Sequence, residues 1–136
     1  MEYNFLYKVQ SYLQLNNLSG EQPEDYLIVY DQEDGTPSLS NWNVAKLGAE
    51  PTTTQLLAAA QQAQTNKLTT AYKSMAITLL AETDWTQYAD VNDTSKTPHL
   101  LNKAEFDTYR LALRAIVVSP ASTVEFPTPP SALWST

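Results

Sequence analysis

The sequence predicts a mainly α-helical protein with a small N-terminal β-hairpin, an α+β class. Three observations predict it. From about Thr53 to Ala81 no proline or glycine interrupts an alanine- and leucine-bearing stretch that follows Pro51. Further on, Phe106, Tyr109, Leu113 and Ile116 recur at helical spacing. Near the start, two apolar runs flank Asp34-Gly35, a dipeptide that favours a tight hairpin turn. The expected architecture is a long central helix, a short C-terminal helix and an extended, proline-rich tail. The chain divides into a small N-terminal unit over residues 1–48 and a second part over residues 49–136.

Residues 1–19 fit a helix from about Glu2 to Leu15, with Phe5, Leu6, Val9, Tyr12 and Leu13 on one face. Tyr3, Phe5, Tyr7 and Val9 also fit strand alternation; Asn16-Asn17 and Ser19-Gly20 favour the helix by supplying an end. Tyr26–Tyr30 is β-branched and aromatic and reads as the first hairpin strand. Leu39 to Val44, centred on Trp42, reads as the second. Asp31, Glu33 and Asp34 lie around the turn, but the remaining ligand positions of an EF-hand loop are missing, so this is a solvated acidic turn.

Gly48-Ala49-Glu50-Pro51 marks the clearest boundary. Proline pre-sets the backbone for a helix start, and either Thr52 or Thr53 is placed to cap it. Leu57, Ala60, Leu68, Ala71, Tyr72, Met75 and Leu79 form one broad side of the long helix. Gln61 and Gln64 fall inside that side, where polar residues can set register or oligomer state. A weak, alanine-rich stripe of this length reads as an extended arm, with a possible homo-oligomer contact along it.

Thr83-Asp84 ends the arm. Trp85, Tyr88 and Val91 are expected to fold back on the last helix, and Asp84 and Thr86 to bond local backbone N–H groups. Asn102 reads as an N-cap, with Glu105 reaching back to it. Ser119-Pro120 closes the helix, since a residue before proline is pushed out of the helical region. Arg110 lies at the edge of the apolar stripe. It either forms an intrahelical pair with Asp107 or clamps a carboxylate of the DWTQYAD segment, Asp84 or Asp90. After Val124 the tail carries Pro127, Pro129 and Pro130, with Phe126 and Trp134 as anchors. Prolines reduce its freedom before binding, so it is cheap to order, against the chain's own helices or against a partner.

The order Asp84-Trp85-Thr86, Asp90, Tyr109-Arg110 with Leu113-Arg114, Phe126-Pro127 and then Trp134 resembles the phage tail assembly chaperone-like domain of tail-fibre assembly proteins. The resemblance covers roughly the last 55 residues of the sequence plus the helix that leads in. It departs from the family's pattern at Asn92 to Leu101, which lengthen the join before the helix, and at Ser135, which stands where a proline follows the tryptophan. The resemblance implies a phage tail or tail-fibre assembly protein acting by protein–protein binding, with a permanent virion subunit such as a fibre adaptor or baseplate component as the alternative. It implies a tail-fibre or baseplate protein as partner, and the host cytoplasm or the virion tail as location. Asp84, Trp85, Tyr109, Arg110, Leu113, Arg114, Phe126, Pro127 and Trp134 are the residues that it marks.

Composition narrows the alternatives. The formal charge is -7 with only eight lysines and arginines, scattered except for Arg110 and Arg114. Phosphate tracking needs a clustered basic footprint, so nucleic acid is not an expected partner. No apolar run reaches the about 18 residues of a membrane span, and MEYNFLYK lacks the pattern of a secretory signal. The absence of cysteine excludes disulfides and thiolate metal sites. His99 is the lone histidine and sits between Pro98 and two leucines, which reads as a loop or packing residue. No Ser-His-Asp arrangement, phosphate-cradling glycine loop or carboxylate pair in apolar surroundings is visible. No enzyme activity and no cofactor are expected.

Overall fold

The computed structural model describes residues 2–136. The elements run α1 (Phe5–Leu15), β1 (Leu27–Tyr30), β2 (Pro37–Ser40), α2 (Val44–Leu47), α3 (Thr53–Glu82), a one-turn 3-10 helix (Asp84–Gln87) and α4 (Lys103–Val118). The class is α+β: mainly helical, with a two-stranded antiparallel hairpin, a long α3 and a C-terminal α4. Two compact units divide between Thr65 and Asn66, inside α3. The joint expected after residue 48 is present as the break between α2 and α3. The division between units lies further along, because Leu56 on the first turns of α3 belongs to the core of the first unit.

In the first unit, α1 starts at Phe5 rather than Glu2 because the Asn4 Oδ1 accepts the Tyr7 N–H at 2.7 Å and caps the helix there. It ends as the double asparagine predicts. Asn17 takes a left-handed φ of 54°, and the Leu18 N–H bonds back to the Leu13 carbonyl at 2.8 Å. The hairpin pairs Leu27 with Ser40 and Tyr30 with Pro37. Its turn uses Gly35 at φ 72°, while the Asp31 Oδ1 accepts the Glu33 and Asp34 N–H groups at 2.7 and 3.1 Å. The Asp34 Oδ1 likewise accepts the Thr36 N–H at 2.9 Å, so both aspartates are occupied by local backbone, as in an ordinary Asx turn.

The second strand is shorter than Leu39–Val44. Asn41 has a φ of 55°, which breaks the extended run. Trp42 therefore leaves the strand and packs its ring near Tyr12 and Tyr26, with centroids 6.3 and 6.0 Å away. Asn43 then caps the short α2 by accepting the Lys46 N–H. The core comprises Val9, Leu13, Tyr26, Leu47 and Leu56. Asp25, also buried, ties the unit together. Its carboxylate accepts Lys46 Nζ at 2.7 Å and the Glu21 N–H at 3.0 Å.

Thr52 is the residue that caps α3. Its Oγ1 accepts the Gln55 N–H at 3.1 Å, and the Gln55 Oε1 accepts the Thr52 N–H at 2.8 Å, a reciprocal capping box. The buried side of α3 matches the expected one only in part: Ala60 is buried and Leu68, Tyr72 and Leu79 are half-buried as expected. Leu56, Ala59, Ala60 and Ala76 are buried, whereas Leu57, Ala71 and Met75 are exposed. Gln61 is exposed and Gln64 half-buried. Nor is α3 a bare arm, since Leu56 enters one core and Ala76 another.

In the second unit, α4 buries Phe106, Tyr109, Leu113 and Ile116, the predicted stripe. Ala76, Tyr109, Leu113 and Ile116 form the core, with Leu79, Leu80, Val117, Val124 and Phe126 packed around it.

Candidate functional site

Most of the residues marked in the last third of the sequence gather along α4. Arg110 leaves the flank of the buried stripe and closes the end of α3. Its Nη1 donates to the Leu80 carbonyl at 2.7 Å and to the Thr83 Oγ1 at 2.8 Å, and its Nη2 to the Asp84 Oδ1 at 3.0 Å. The last carbonyls of a helix lack intrahelical partners and carry the negative end of its dipole. A guanidinium with five N–H groups in a fixed fork answers both needs. Of the carboxylates in reach, Asp84 is the partner; Asp107 instead accepts Lys103 Nζ at 2.8 Å and Gln87 Nε2 at 2.9 Å. Those two donors hold the Asp107 carboxyl below its ordinary range.

The DWTQ turn is itself knotted. Thr86 is fully buried, and its hydroxyl donates to the Thr83 carbonyl at 2.7 Å. The Asn92 Nδ2 donates to the Thr86 and Tyr88 carbonyls at 2.8 and 2.9 Å. Local N–H groups are thus not the partners of Asp84 and Thr86: one meets a guanidinium and the other donates to a carbonyl. Trp85 packs edge-on against Phe106 with centroids 5.7 Å apart, but Tyr88 stays exposed.

The tail folds onto its own chain. Leu100 bridges Trp134; the Leu101 N–H bonds the Leu133 carbonyl at 2.7 Å and the Ser135 N–H the His99 carbonyl at 2.9 Å. Trp134 stacks on Trp85, and Phe126 meets Tyr72 edge-on with centroids 6.0 Å apart. Pro127 is half-buried within the strap. His99 is a packing residue of this clasp: its Nδ1 lies 2.7 Å from the Lys96 carbonyl and 3.1 Å from the Ser135 Oγ.

Asn102 has a different role from the expected cap. Its side chain makes no cap bond. Buried, it donates to the Ser131 carbonyl at 2.8 Å and to Glu105 at 3.1 Å, and it accepts the Leu133 N–H at 2.8 Å. The Asn-x-x-Glu spacing was a real signal of pairing with Glu105, but the strap contacts lie 29 and 31 residues away in sequence and leave no local signature.

Within this module Tyr109 and Leu113 are core residues, and burial pushes the Tyr109 hydroxyl pKa up. Arg110, Trp85, Phe126 and Trp134 hold segments together. Arg114 is exposed and enters no ion pair among the described residues. With Gln87, Lys103, Asp107, Arg110 and Leu111 it lines a groove of about 470 Å³. Leu111, 65% exposed, is a surface feature that the sequence reading passed over. No group of three or more His, Asp or Glu placed to hold a metal ion occurs among the described residues, and no described helix is long and apolar enough to cross a membrane. No protein family, curated protein or solved structure matches this chain.

Proposed function

We propose that this chain is a phage tail or tail-fibre assembly protein that works by binding another protein, without chemistry. The observation that carries the reading is the way the three resembling segments depend on one another. Asp84 meets Arg110, Trp85 meets Trp134, and Phe126 packs on the α4 stripe. A domain whose motif residues form one mutually bonded module is consistent with the resemblance that those residues carry. In this reading the buried motif residues shape the module, and exposed residues, Arg114 among them, contact the partner, a tail-fibre or baseplate protein, in the host cytoplasm during assembly. The test is the solution mass of the purified chain, alone and mixed with the tail-fibre protein encoded beside it. A defined complex supports the reading; a chain that ignores the fibre protein overturns it.

A second reading, a permanent virion subunit such as a fibre adaptor, is favoured by a specific observation. Met75 and Ile77 on α3 and Leu111 and Val118 on α4 are large apolar side chains in the open, and lasting contacts cover such groups. Peptide mass counts on purified particles separate the two: a fixed, symmetric copy number belongs to a subunit, absence or a few copies to a chaperone.

A further inference from the structure

We infer that the groove along α4 between Lys103 and Arg114 is the docking site for an acidic, leucine-bearing segment of the partner protein. The inference rests on the reading of residues 82–136 as a protein-binding module and adds the chemistry of what it binds.

The chain carries a formal charge of -7, yet both of its arginines and one of its six lysines line this groove. Positions 103, 107, 110 and 114 fall on one side of a helix at about 100° per residue, so the charges form a single ridge. Their states differ. Lys103 and Asp107 neutralise one another at 2.8 Å. Arg110 turns three of its N–H donors inward. Arg114 is exposed and outside every ion pair among the described residues, so its planar fork is open to a carboxylate. Beside it, Leu111 offers exposed apolar surface. The groove therefore presents a bidentate carboxylate receptor next to an apolar wall, on a molecule whose acidic surface elsewhere repels an acidic segment. Such complementarity selects the landing place and the approach rate more than it adds raw affinity. The local cation excess is too small for phosphate tracking along a nucleic acid.

The test titrates the full-length, isotope-labelled chain with an end-blocked peptide alternating glutamate and leucine, following backbone amide resonances. Saturable shifts confined to residues 87 and 103–114 are expected, weaker at high salt. Arg114→Glu, at an exposed position, is expected to lower the affinity at least tenfold and Arg114→Gln several-fold, whereas the charge-matched control Lys73→Glu leaves it unchanged. Equal binding of a glutamine–leucine peptide, or undiminished binding to Arg114→Glu, overturns the inference. The same shifts produced by inorganic phosphate at equal concentration overturn it too, by assigning the groove to small anions. The fibre protein then distinguishes the levels. A complex that forms equally well with Arg114→Glu removes the groove and leaves the assembly reading standing, while no complex with the unaltered chain removes that reading itself.

Discussion

The indole of Trp134 lies stacked on that of Trp85, with ring centroids 5.7 Å apart and planes 22° from parallel. Trp85 in turn meets Phe106 of α4, so the last anchor of the strap reaches the helix through a second aromatic ring. Such ring pairs contribute about 0.5–1.5 kcal/mol beyond the area they bury. Trp134→Ala is expected to release the strap while leaving the Tyr109–Leu113 core folded. Cleavage within residues 124–136 by a low dose of proteinase K, whose broad specificity does not depend on the indole removed, should accelerate several-fold, with little change in far-ultraviolet circular dichroism. Equal cleavage rates would show that the clasp is held by its backbone bonds alone.

Arg110 and Asp84 form an ion pair, but the Asp84 side chain is 57% exposed. Exposed pairs contribute roughly 0–1 kcal/mol. The bonds to the Leu80 carbonyl and Thr83 hydroxyl are better shielded, and leaving such acceptors without a partner costs about 1–3 kcal/mol. Asp84→Ala is therefore expected to lower stability by less than about 1 kcal/mol, and Arg110→Ala by about 2–3 kcal/mol. Urea melts of the two variants check the order. If Asp84→Ala costs as much as Arg110→Ala, the carboxylate and not the helix end is what the arginine serves.

Leu56 is 2% exposed and Leu57 39%, although they are neighbours in sequence. Leu56→Ala is expected to cost about 2–5 kcal/mol and Leu57→Ala roughly 0.5 kcal/mol. Thermal melts of the pair report directly on which side of α3 faces a core.

The first unit should loosen in acid. The Lys46 ammonium, and then the Glu21 N–H, hold the buried Asp25 carboxyl below its ordinary value. A carboxyl whose pKa is lowered by folding stabilises the fold above its unfolded value, about 3.9, and that contribution disappears as pH falls through the lowered one. Amide hydrogen exchange in residues 21–47 is expected to quicken, relative to its intrinsic pH trend, as pH drops below about 4. Asp25→Asn should flatten that dependence and exchange faster at neutral pH. An unchanged pH profile in this variant would assign the effect to Asp34, whose carboxyl is also lowered, by Thr36.

The elements that were legible in the sequence are those in which large and small side chains alternate with a clear period. Phe106, Tyr109, Leu113 and Ile116 are bulky and separated by polar or smaller residues at most positions, and the stripe is where it was expected. In α3 about half of the apolar positions are alanines, and the apolar residues are spread around the helix, so Leu56 and Leu57 compete as inward residues and periodicity cannot choose between them. The helix α2 escaped because Val44–Leu47 is a single turn, too short to show a period. The Arg110 clamp was half legible. Its carboxylate can be found by scanning for acids, but its shortest bond goes to the Leu80 carbonyl, and every residue carries a carbonyl. Asn102 stands at the N-cap position as expected, but its side chain bonds distant backbone, and in sequence such a side chain looks like one that caps its own helix.

The clasp has a consequence for the order of events on the ribosome. Residues 84–102 are made before Trp134, so the ring of Trp85 and the side chain of Asn102 wait without the groups that cover them. At about 5–20 residues per second the delay between Asn102 and Trp134 is about two to six seconds. Throughout that interval the nascent chain lacks the cover of its aromatic face, and the arrival of residues 131–134 is what shuts it.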